Sequence, residues 1–181
     1  MKRLITKLDV KGPNLIKGIS YEGNRVLGLA DYFSEMYSLE GSDEIFFQDS
    51  VASLYQRNNL LDILKKCATK VRIPITVAGG IKSLRNIRDL LKAGADKVAI
   101  NTAGIKNPKF LKKAVKAFGS QCIVASIEAK KKDKELYEAW VDYGRQPTGL
   151  DVLKWSEMVM DYGVGEIMIS SVDKDGTGEG F

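Results

Sequence analysis

The sequence contains no histidine. Its absence excludes Ser-His-Asp and Cys-His catalysis, and every metal site that needs an imidazole ligand. Any acid–base chemistry must therefore use carboxylates, Lys, Tyr or Cys. Only two cysteines are present, Cys67 and Cys122, both in apolar settings and without the spacing of a metal site. We expect reduced thiols in a cytoplasmic protein.

Long apolar runs are also missing. No stretch approaches the roughly 18 residues that a membrane-spanning helix needs. Charges interrupt the N-terminal MKRLITKLDV, where a secretory signal would need an apolar centre. The net charge is +5, but the lysines are spread over predicted helix faces rather than clustered with aromatic residues. We predict neither a membrane nor a nucleic-acid partner; solubility explains the charge, and so would an anionic small substrate.

Strand-like segments alternate with amphipathic helices along the chain. The pattern predicts helices at 27–39, 59–68, 108–118 and 149–162, another after a capping Ser83, and a hairpin excursion at 130–144. The predicted strands are 3–10, 44–52, 74–80, 97–101, 122–128 and 166–172. Alternation at this pace indicates an α/β fold of parallel β/α units. A length of 181 residues favours a single domain.

A weak repeat adds to this organisation. The segments GSDEI (41–45), GADKV (94–98) and GVGEI (163–167) each place a glycine after a helix and a charged residue at the start of a strand. The repeat suggests a half-barrel of about 120 residues, with four strand–helix pairs, and two such halves give the eight pairs of a closed barrel. We therefore divide the single domain 1–181 into a first half at 1–120 and a partial second half at 121–181. The alternative is coincidence, because loops between helices and strands often carry Gly and Asp.

Small polar residues at the predicted strand ends suggest a phosphate site. Active sites of β/α barrels lie at the carboxyl ends of the strands. The third strand ends with Gly79 and Gly80, and the fourth ends with Asn101 and Thr102. Open backbone amides at a helix entrance favour an anion, although a Gly-Gly pair can also serve simply as a turn. The flexible acidic loop Asp175-Gly176-Thr177-Gly178 is predicted at the same rim.

Two carboxylates at strand ends, Asp9 and Glu128, are the candidates for acid–base work. The predicted strands that carry them are four units apart, so the two residues would face each other across a closed barrel. Such a pair suits general acid–base catalysis because one carboxyl can stay ionised while the other keeps its proton. The alternative is two solvated acids beside loops. Lys17 could reach an anionic substrate or be a solvated lysine.

Motifs in a fixed order along the chain resemble the cyclase subunit of imidazole glycerol phosphate synthase. They are LDVKGPNLIKG, the Asp49 segment with VAS, AGGI, LLKAGADKVAIN, FGSQCIV, GRQPTGLD and SSVDKDGTGEGF. The resemblance implies a (β/α)8 TIM barrel that takes ammonia from a glutaminase partner, a glutamine amidotransferase, and needs no cofactor or metal. The family converts a bis-phosphorylated aminoimidazole carboxamide ribonucleotide to imidazole glycerol phosphate and a purine precursor, an aminoimidazole carboxamide ribonucleotide.

The resemblance also implies roles for individual residues. Asp9 matches the family's catalytic acid/base on the first strand, and Glu128 falls where its second catalytic Asp belongs. The positions that match substrate-binding residues are Lys17, Gly80, Asn101, Thr102 and Asp175. The positions that match a ring of charges gating ammonia at the barrel floor are Arg3, Glu44, Lys97 and Glu166. Such a ring could equally be a buried ionic network, and both readings can describe the same residues.

Three departures from the family pattern touch the predicted active rim. Glu128 is one methylene longer than the expected Asp, and a shift of about 1 Å can cost on the order of a hundredfold in rate. Lys7 stands where the family usually has an uncharged residue; it lies two positions before Asp9 on the same strand face and can pair with it. Ala78 replaces the first glycine of a Gly-Gly-Gly-Ile. A cyclase-like paralogue that delivers ammonia in surface-polysaccharide sugar amidation is the alternative, as is an inactive binding or conducting subunit.

The resemblance places the seventh and eighth strands beyond Phe181. We therefore expect a barrel truncated after strand six, with two bare strand edges that must pair with something. Ile5 or Ile169 would then meet water, and self-association through the open edges is the predicted result.

Overall fold

The structure, a computed structural model, describes residues 2–52 and 59–180. Its ten strands are β1 (Ile5–Lys11), β2 (Asn14–Ile19), β3 (Glu22–Leu29), β4 (Glu44–Asp49), β5 (Ile75–Ala78), β6 (Lys97–Ile100), β7 (Ile123–Lys131), β8 (Tyr137–Val141), β9 (Gln146–Asp151) and β10 (Glu166–Ser171). The helices in these ranges are α1 (Ala30–Leu39), α2 (Asn59–Cys67), α3 (Leu84–Lys92), α4 (Thr102–Lys106), α5 (Pro108–Phe118) and α6 (Val152–Asp161). None of the helices in the described ranges is long and apolar enough to cross a membrane.

The α/β class with parallel strands is confirmed, but the predicted number of strands was wrong. All six predicted strands are present, within a few residues of their predicted bounds. Four further strands, β2, β3, β8 and β9, form two antiparallel hairpin excursions. The sequence indicated part of the second excursion and missed the first. An end of the barrel after a sixth strand is accordingly not confirmed.

The chain divides into two compact units. The first comprises residues 1–17 and 25–99, and the second comprises residues 18–24 and 100–181. In the first unit β1 is antiparallel to β2 and parallel to β4, and β5 and β6 continue the parallel order. In the second unit β7 is parallel to β10 and antiparallel to β8, which is followed by β9.

Apolar side chains on one face of the parallel strands build the core of the first unit. Leu8 and Val10 of β1 are 3% and 1% exposed, and Phe47 and Val77 on neighbouring strands are fully buried. Helix α1 packs on β1 and β4. The opposite face of β1 carries Lys7 and Asp9, because successive side chains of a strand alternate between its faces. The packing thus directs the candidate catalytic face away from the helices.

The aspartates of the repeated Gly–x–Asp segments join neighbouring strands by hydrogen bonds. Asp43 accepts a hydrogen bond from the Leu4 amide at 2.7 Å, and Asp96 accepts one from the Ile75 amide at 2.8 Å. Each Asp thereby ties the start of its own strand to the start of the adjacent one. The third copy has Gly165 in this place, and a β-carbon there would lie 2.4 Å from a backbone oxygen. The charged residue that follows begins β4, β6 and β10, as predicted.

Two predicted helices begin later than their apolar spacing suggested. Residues 27–29 belong to strand β3, where Leu27 and Leu29 are more than half exposed. Gly28 has φ +152°, which lies outside the helical region, so α1 starts only at Ala30. Similarly α6 starts after Asp151, whose carboxylate accepts from the Lys154 amide at 3.0 Å and caps the helix.

Candidate active site

Asp9 lies inside β1, two residues before its end, and its side chain is only 3% exposed. Its Oδ1 is 2.9 Å from the Lys7 ammonium, which confirms the predicted pairing. Its Oδ2 is 3.5 Å from Nζ of Lys17, which the β1–β2 hairpin brings back beside Asp9. The candidate catalytic carboxylate is therefore buried between two cations, one on its own strand and one on the neighbouring strand.

Glu128 lies within β7 rather than at its end. The hairpin partner β8 extends β7 to Lys131, so Glu128 is directly opposite Trp140 in the antiparallel ladder. The carboxylate is 4% exposed and accepts a hydrogen bond from the Gly144 amide at 2.8 Å. Asp9 belongs to the first unit and Glu128 to the second; the predicted opposition of the two stays a prediction.

Close packing explains the Gly79-Gly80 pair without a ligand. Both glycines have positive φ, +113° and +67°. A β-carbon at Gly79 would lie 2.8 Å from the Asp49 carbonyl oxygen, and one at Gly80 would lie 2.9 Å from the Ala52 side chain. Only glycine fits such a backbone so close to its neighbour. Ser83 then caps α3 as predicted, accepting from the Asn86 amide at 3.1 Å.

Asn101 and Thr102 make contacts to the β8 end. The Asn101 Nδ2 donates to the Trp140 carbonyl at 3.1 Å, and the Asp142 amide donates to the Thr102 hydroxyl at 3.0 Å. The Asn101 Oδ1 is buried and has no hydrogen-bond partner among the described residues. A buried acceptor without a donor is costly, so this oxygen is available to a ligand donor or a water.

The Asp175–Thr177 loop contacts the tip of the β2–β3 hairpin. The Ser20 amide donates to the Asp175 carbonyl at 2.8 Å. A β-carbon on Gly176 would lie 2.2 Å from the Gly18 carbonyl oxygen, and the Thr177 hydroxyl donates to the Lys174 carbonyl at 2.9 Å. The loop predicted to be flexible is thus held by backbone contacts.

An aromatic pair joins the tips of the two excursions in the second unit. The rings of Tyr21 and Tyr143 stack with centroids 4.3 Å apart, and Val172 packs with them. Both tyrosines have positive φ, 65° and 59°, a conformation that is strained for a residue with a side chain. No sequence signal could reveal this pair, because the tyrosines are distant in the chain.

Three of the four predicted floor charges form one network around the buried Glu44 carboxylate. Glu44 is 1% exposed and accepts from Lys97 at 2.7 Å, from Arg3 at 3.0 Å and from the Thr76 hydroxyl at 2.5 Å. Three donors on one carboxylate satisfy a buried charge. The fourth residue, Glu166, begins β10 in the second unit.

Asp49 is a buried carboxylate for which the sequence motifs indicated no role. It ends the wholly buried strand β4 and accepts from the Val51 amide at 2.9 Å. Burial raises the pKa of the Asp49 carboxyl, and the hydrogen bonds from the Val51 and Ala52 amides offset only part of this effect. A buried carboxyl with a raised pKa is a candidate functional group. The feature of the sequence that could have identified Asp49 is its position at the end of an apolar strand, before small residues.

We expect Asp49→Asn to raise the melting temperature at pH 7 by about 2–4 °C, which corresponds to about 1 kcal/mol in a domain of this size. The raised pKa means that the stability contributed by protonated Asp49 is present at acid pH and is lost as the pH rises through the folded-state pKa. Asparagine keeps an acceptor for the Val51 amide and never ionises. Thermal melts at pH 5 and pH 7 measure the effect.

The control for this experiment is Asp151→Asn, because Asn caps a helix as well as Asp does. The control should melt like the wild type at both pH values. A lower melting temperature of Asp49→Asn at pH 7, or a pH dependence equal to that of the wild type, would contradict the prediction.

No group of three or more Cys, Asp or Glu side chains in the described ranges is placed to hold a metal ion. The candidate groups described above are mainly carboxylates, lysines and backbone amides. Such a set can transfer protons and bind anions.

Comparison with known proteins identifies the family. The family described as "Histidine biosynthesis protein" matches residues 3–181. The chain is 50% identical over 179 residues to the imidazole glycerol phosphate synthase subunit HisF of Legionella pneumophila, covering 99% of this chain and 84% of that protein. It is 44% identical over 181 residues to the subunit of the same name from Clostridium botulinum (strain 657 / Type Ba4), covering 99% of this chain and 72% of that protein. The chain belongs to the histidine biosynthesis protein family.

Proposed function

We propose that the chain is the cyclase subunit of an imidazole glycerol phosphate synthase. It uses ammonia to convert a bis-phosphorylated aminoimidazole carboxamide ribonucleotide to imidazole glycerol phosphate and an aminoimidazole carboxamide ribonucleotide. The observation that carries this proposal is the 50% identity to a named HisF subunit over 99% of the chain. The fold we propose is the (β/α)8 barrel.

Asp9 and Glu128 are the proposed acid–base pair. Both carboxylates are nearly buried, at 3% and 4% exposure, and lie on strands rather than on loops. Burial strengthens electrostatic interactions with a reacting group, and a strand holds the group in place. Their surroundings differ: two lysines flank Asp9, whereas a backbone amide binds Glu128. Different surroundings suit different protonation roles.

The proposed substrate-binding residues are Lys17, Gly79, Gly80, Asn101, Thr102, Asp175, Gly176 and Thr177. Support comes from the half-exposed ammonium of Lys17 and from the unsatisfied Asn101 Oδ1. The Thr177 hydroxyl already donates to the Lys174 carbonyl, so its hydrogen is engaged within the loop. The Thr102 hydroxyl accepts from the Asp142 amide, which leaves its own hydrogen for a phosphate.

The proposed source of ammonia is a glutaminase partner, a glutamine amidotransferase subunit. The relatives are named as subunits, which supports an assembly with a second chain. Arg3, Glu44, Lys97 and Glu166 are the proposed ammonia gate. The mutual pairing of Arg3 and Lys97 with Glu44 supports a closed network that must rearrange when a small neutral molecule passes. A cytoplasmic location stays a prediction.

One observation favours a second candidate, the cyclase-like paralogue of surface-polysaccharide amidation. The 2.9 Å pair between Lys7 and Asp9 puts a cation directly on the catalytic carboxylate. Glu128 in place of Asp and Ala78 in place of Gly are two further differences from the family pattern at the predicted active rim. A paralogue would use the same ammonia on another acceptor.

Turnover with the purified ribonucleotide and an ammonium salt tests the proposal. We expect both products to form at a rate that depends on the ammonium concentration, and no reaction in its absence. A folded protein that binds the ribonucleotide without turning it over would favour an inactive conducting subunit. A protein that neither binds it nor turns it over would favour the paralogue.

The 181-residue chain produced by itself should self-associate. Among the described residues, β10 pairs only with β7, which leaves its other edge open, and Ile169 is 42% exposed there. Ile5 on β1 is 40% exposed, although β2 covers residues 9–11 of that strand. Open strand edges with apolar side chains pair with other chains. Sedimentation velocity at micromolar concentration should show dimers or larger species.

Ile169→Lys should shift this distribution toward monomer, because a charge on an edge strand blocks pairing. The control is Leu39→Lys on helix α1, where the side chain is 83% exposed and away from a strand edge. A wild-type chain that sediments as a clean monomer of 20.0 kDa and melts cooperatively would disprove the prediction.

A further inference from the structure

Lys7 is a largely buried cation at a position where the family usually has an uncharged residue. It lies in the middle of β1, on the same strand face as Asp9, and its side chain is 19% exposed. Burying an ammonium is expensive unless it is paired. The 2.9 Å contact to the Asp9 Oδ1 provides this pairing. This ion pair places the ammonium against one of the two oxygens of the proposed acid–base group.

Lys17 contacts the other oxygen of Asp9, and this contact is longer and more exposed to solvent. Its Nζ is 3.5 Å from the Asp9 Oδ2, and its side chain is 41% exposed. A longer, more exposed contact is weaker and costs less to break. An anionic substrate that binds Lys17 therefore draws it from Oδ2 while the contact between Lys7 and Oδ1 persists.

We propose that Lys7 is a positioning residue that holds Oδ1 of Asp9 so that Oδ2 alone meets the reacting group. The inference rests on the proposed acid–base role of Asp9. In this role Lys7 acts on the reaction through the Asp9 carboxylate. Lys17 has the complementary role: it leaves Oδ2 as the substrate anion arrives.

Glu128, the second proposed acid–base group, is positioned by a backbone hydrogen bond rather than by a lysine on its own strand. The residue two positions before Glu128, on the same face of β7, is the uncharged Ser126, which is 4% exposed. Glu128 instead accepts from the Gly144 amide at 2.8 Å. A lysine two residues before the carboxylate is therefore specific to the β1 site and is not a general feature of these strands.

Lys7→Met tests the proposal, since Met keeps the length of the stem and removes the charge. With Oδ1 released, the carboxylate can rotate, and a misplacement of about 1 Å costs on the order of a hundredfold in rate. We expect kcat of the ammonium-dependent reaction to fall at least about tenfold with KM for the ribonucleotide unchanged. Lys7→Arg should recover most of kcat, whereas Lys17→Met should mainly raise KM.

The matched control is Lys11→Met, on the same strand and two residues after Asp9, where the side chain is exposed. Its kinetics should equal those of the wild type. A Lys7→Met protein with wild-type kcat, or an Arg variant as slow as the Met variant, would overturn the proposal. If Lys7→Met does not fold, Lys7→Gln replaces it with the same expected results.

A second readout separates this inference from the proposed function. In protein labelled with 13C at the Asp carboxyl carbons, the Asp9 resonance is assigned by its loss in Asp9→Asn. Lys7→Met should move this resonance and Lys11→Met should not. If the wild type has no turnover but the resonance moves, the cyclase assignment fails and the contact between Lys7 and Asp9 stands. An unmoved resonance overturns the inference whatever the activity.

Discussion

Asp9→Asn will lower ammonium-dependent kcat/KM by a factor of about 10²–10⁴, the usual contribution of a general acid or base. The amide has nearly the volume of the carboxylate but cannot exchange a proton at neutral pH. Steady-state assays with the ribonucleotide at saturating ammonium measure the loss. A variant that keeps more than about a tenth of wild-type turnover would remove Asp9 from the mechanism.

Asp9→Asn should also lower the free energy of unfolding by a moderate amount. It breaks the 2.9 Å ion pair and leaves the Lys7 ammonium, 19% exposed, beside a neutral group. Lys7 is partly exposed, so losing this ion pair costs less than the about 3–5 kcal/mol of a fully buried pair, and most domains tolerate such a loss. Circular dichroism should show a folded protein. The control is Asp31→Asn, which loses the contact of Asp31 to Lys70 at 3.7 Å and should keep full turnover.

Glu44→Gln will have the largest effect on stability. It removes the charge that Lys97 contacts at 2.7 Å, while the Lys97 side chain stays only 10% exposed. Removing one member of a buried ion pair costs about 3–5 kcal/mol, because the remaining charge is left desolvated. Arg3 is half exposed and can return to water, so it contributes little to this loss. Urea unfolding at pH 7 should show a lower midpoint with an unchanged slope.

Glu35→Gln is the matched control for Glu44→Gln. Glu35 pairs with Lys70 at 3.2 Å on the surface, where both side chains are more than 40% exposed. Exposed pairs contribute little, so the midpoint should stay at the wild-type value. Equal midpoints for Glu44→Gln and the wild type would mean that the network adds nothing to folding.

Interactions between residues close together in the sequence determined much of the fold. The four parallel strands of the first unit and the two of the second follow from short apolar runs. The capping of α3 by Ser83 follows from one hydroxyl in reach of the Asn86 amide. The charged residues that start β4, β6 and β10 were visible as a repeat. These features depend on residues close together in sequence, so the sequence states them directly.

Apolar spacing does not decide which side chains of a helix are buried. Trp155 and Val159 are buried as α6 requires, but Leu153 is 72% exposed and Met158 is 40% exposed. The spacing shows that a helix has an apolar face, but it does not show how much of that face a neighbour covers. Coverage depends on long-range packing, which the sequence of one helix does not contain.

For this protein the sequence by itself determined the α/β class, the family and the identity of the candidate groups Asp9, Glu128 and Lys17, because these depend on residue type and order. The pairing of Lys7 with Asp9 was also predictable, because the two residues are neighbours on one strand face. Only the tertiary structure decided the partners of the other groups: the Gly144 amide on Glu128, and three donors on Glu44. It also extended β7 past Glu128 and stacked Tyr21 on Tyr143. The physical reason is that such contacts join residues far apart in the chain, and their geometry is set by strand register and packing rather than by local sequence.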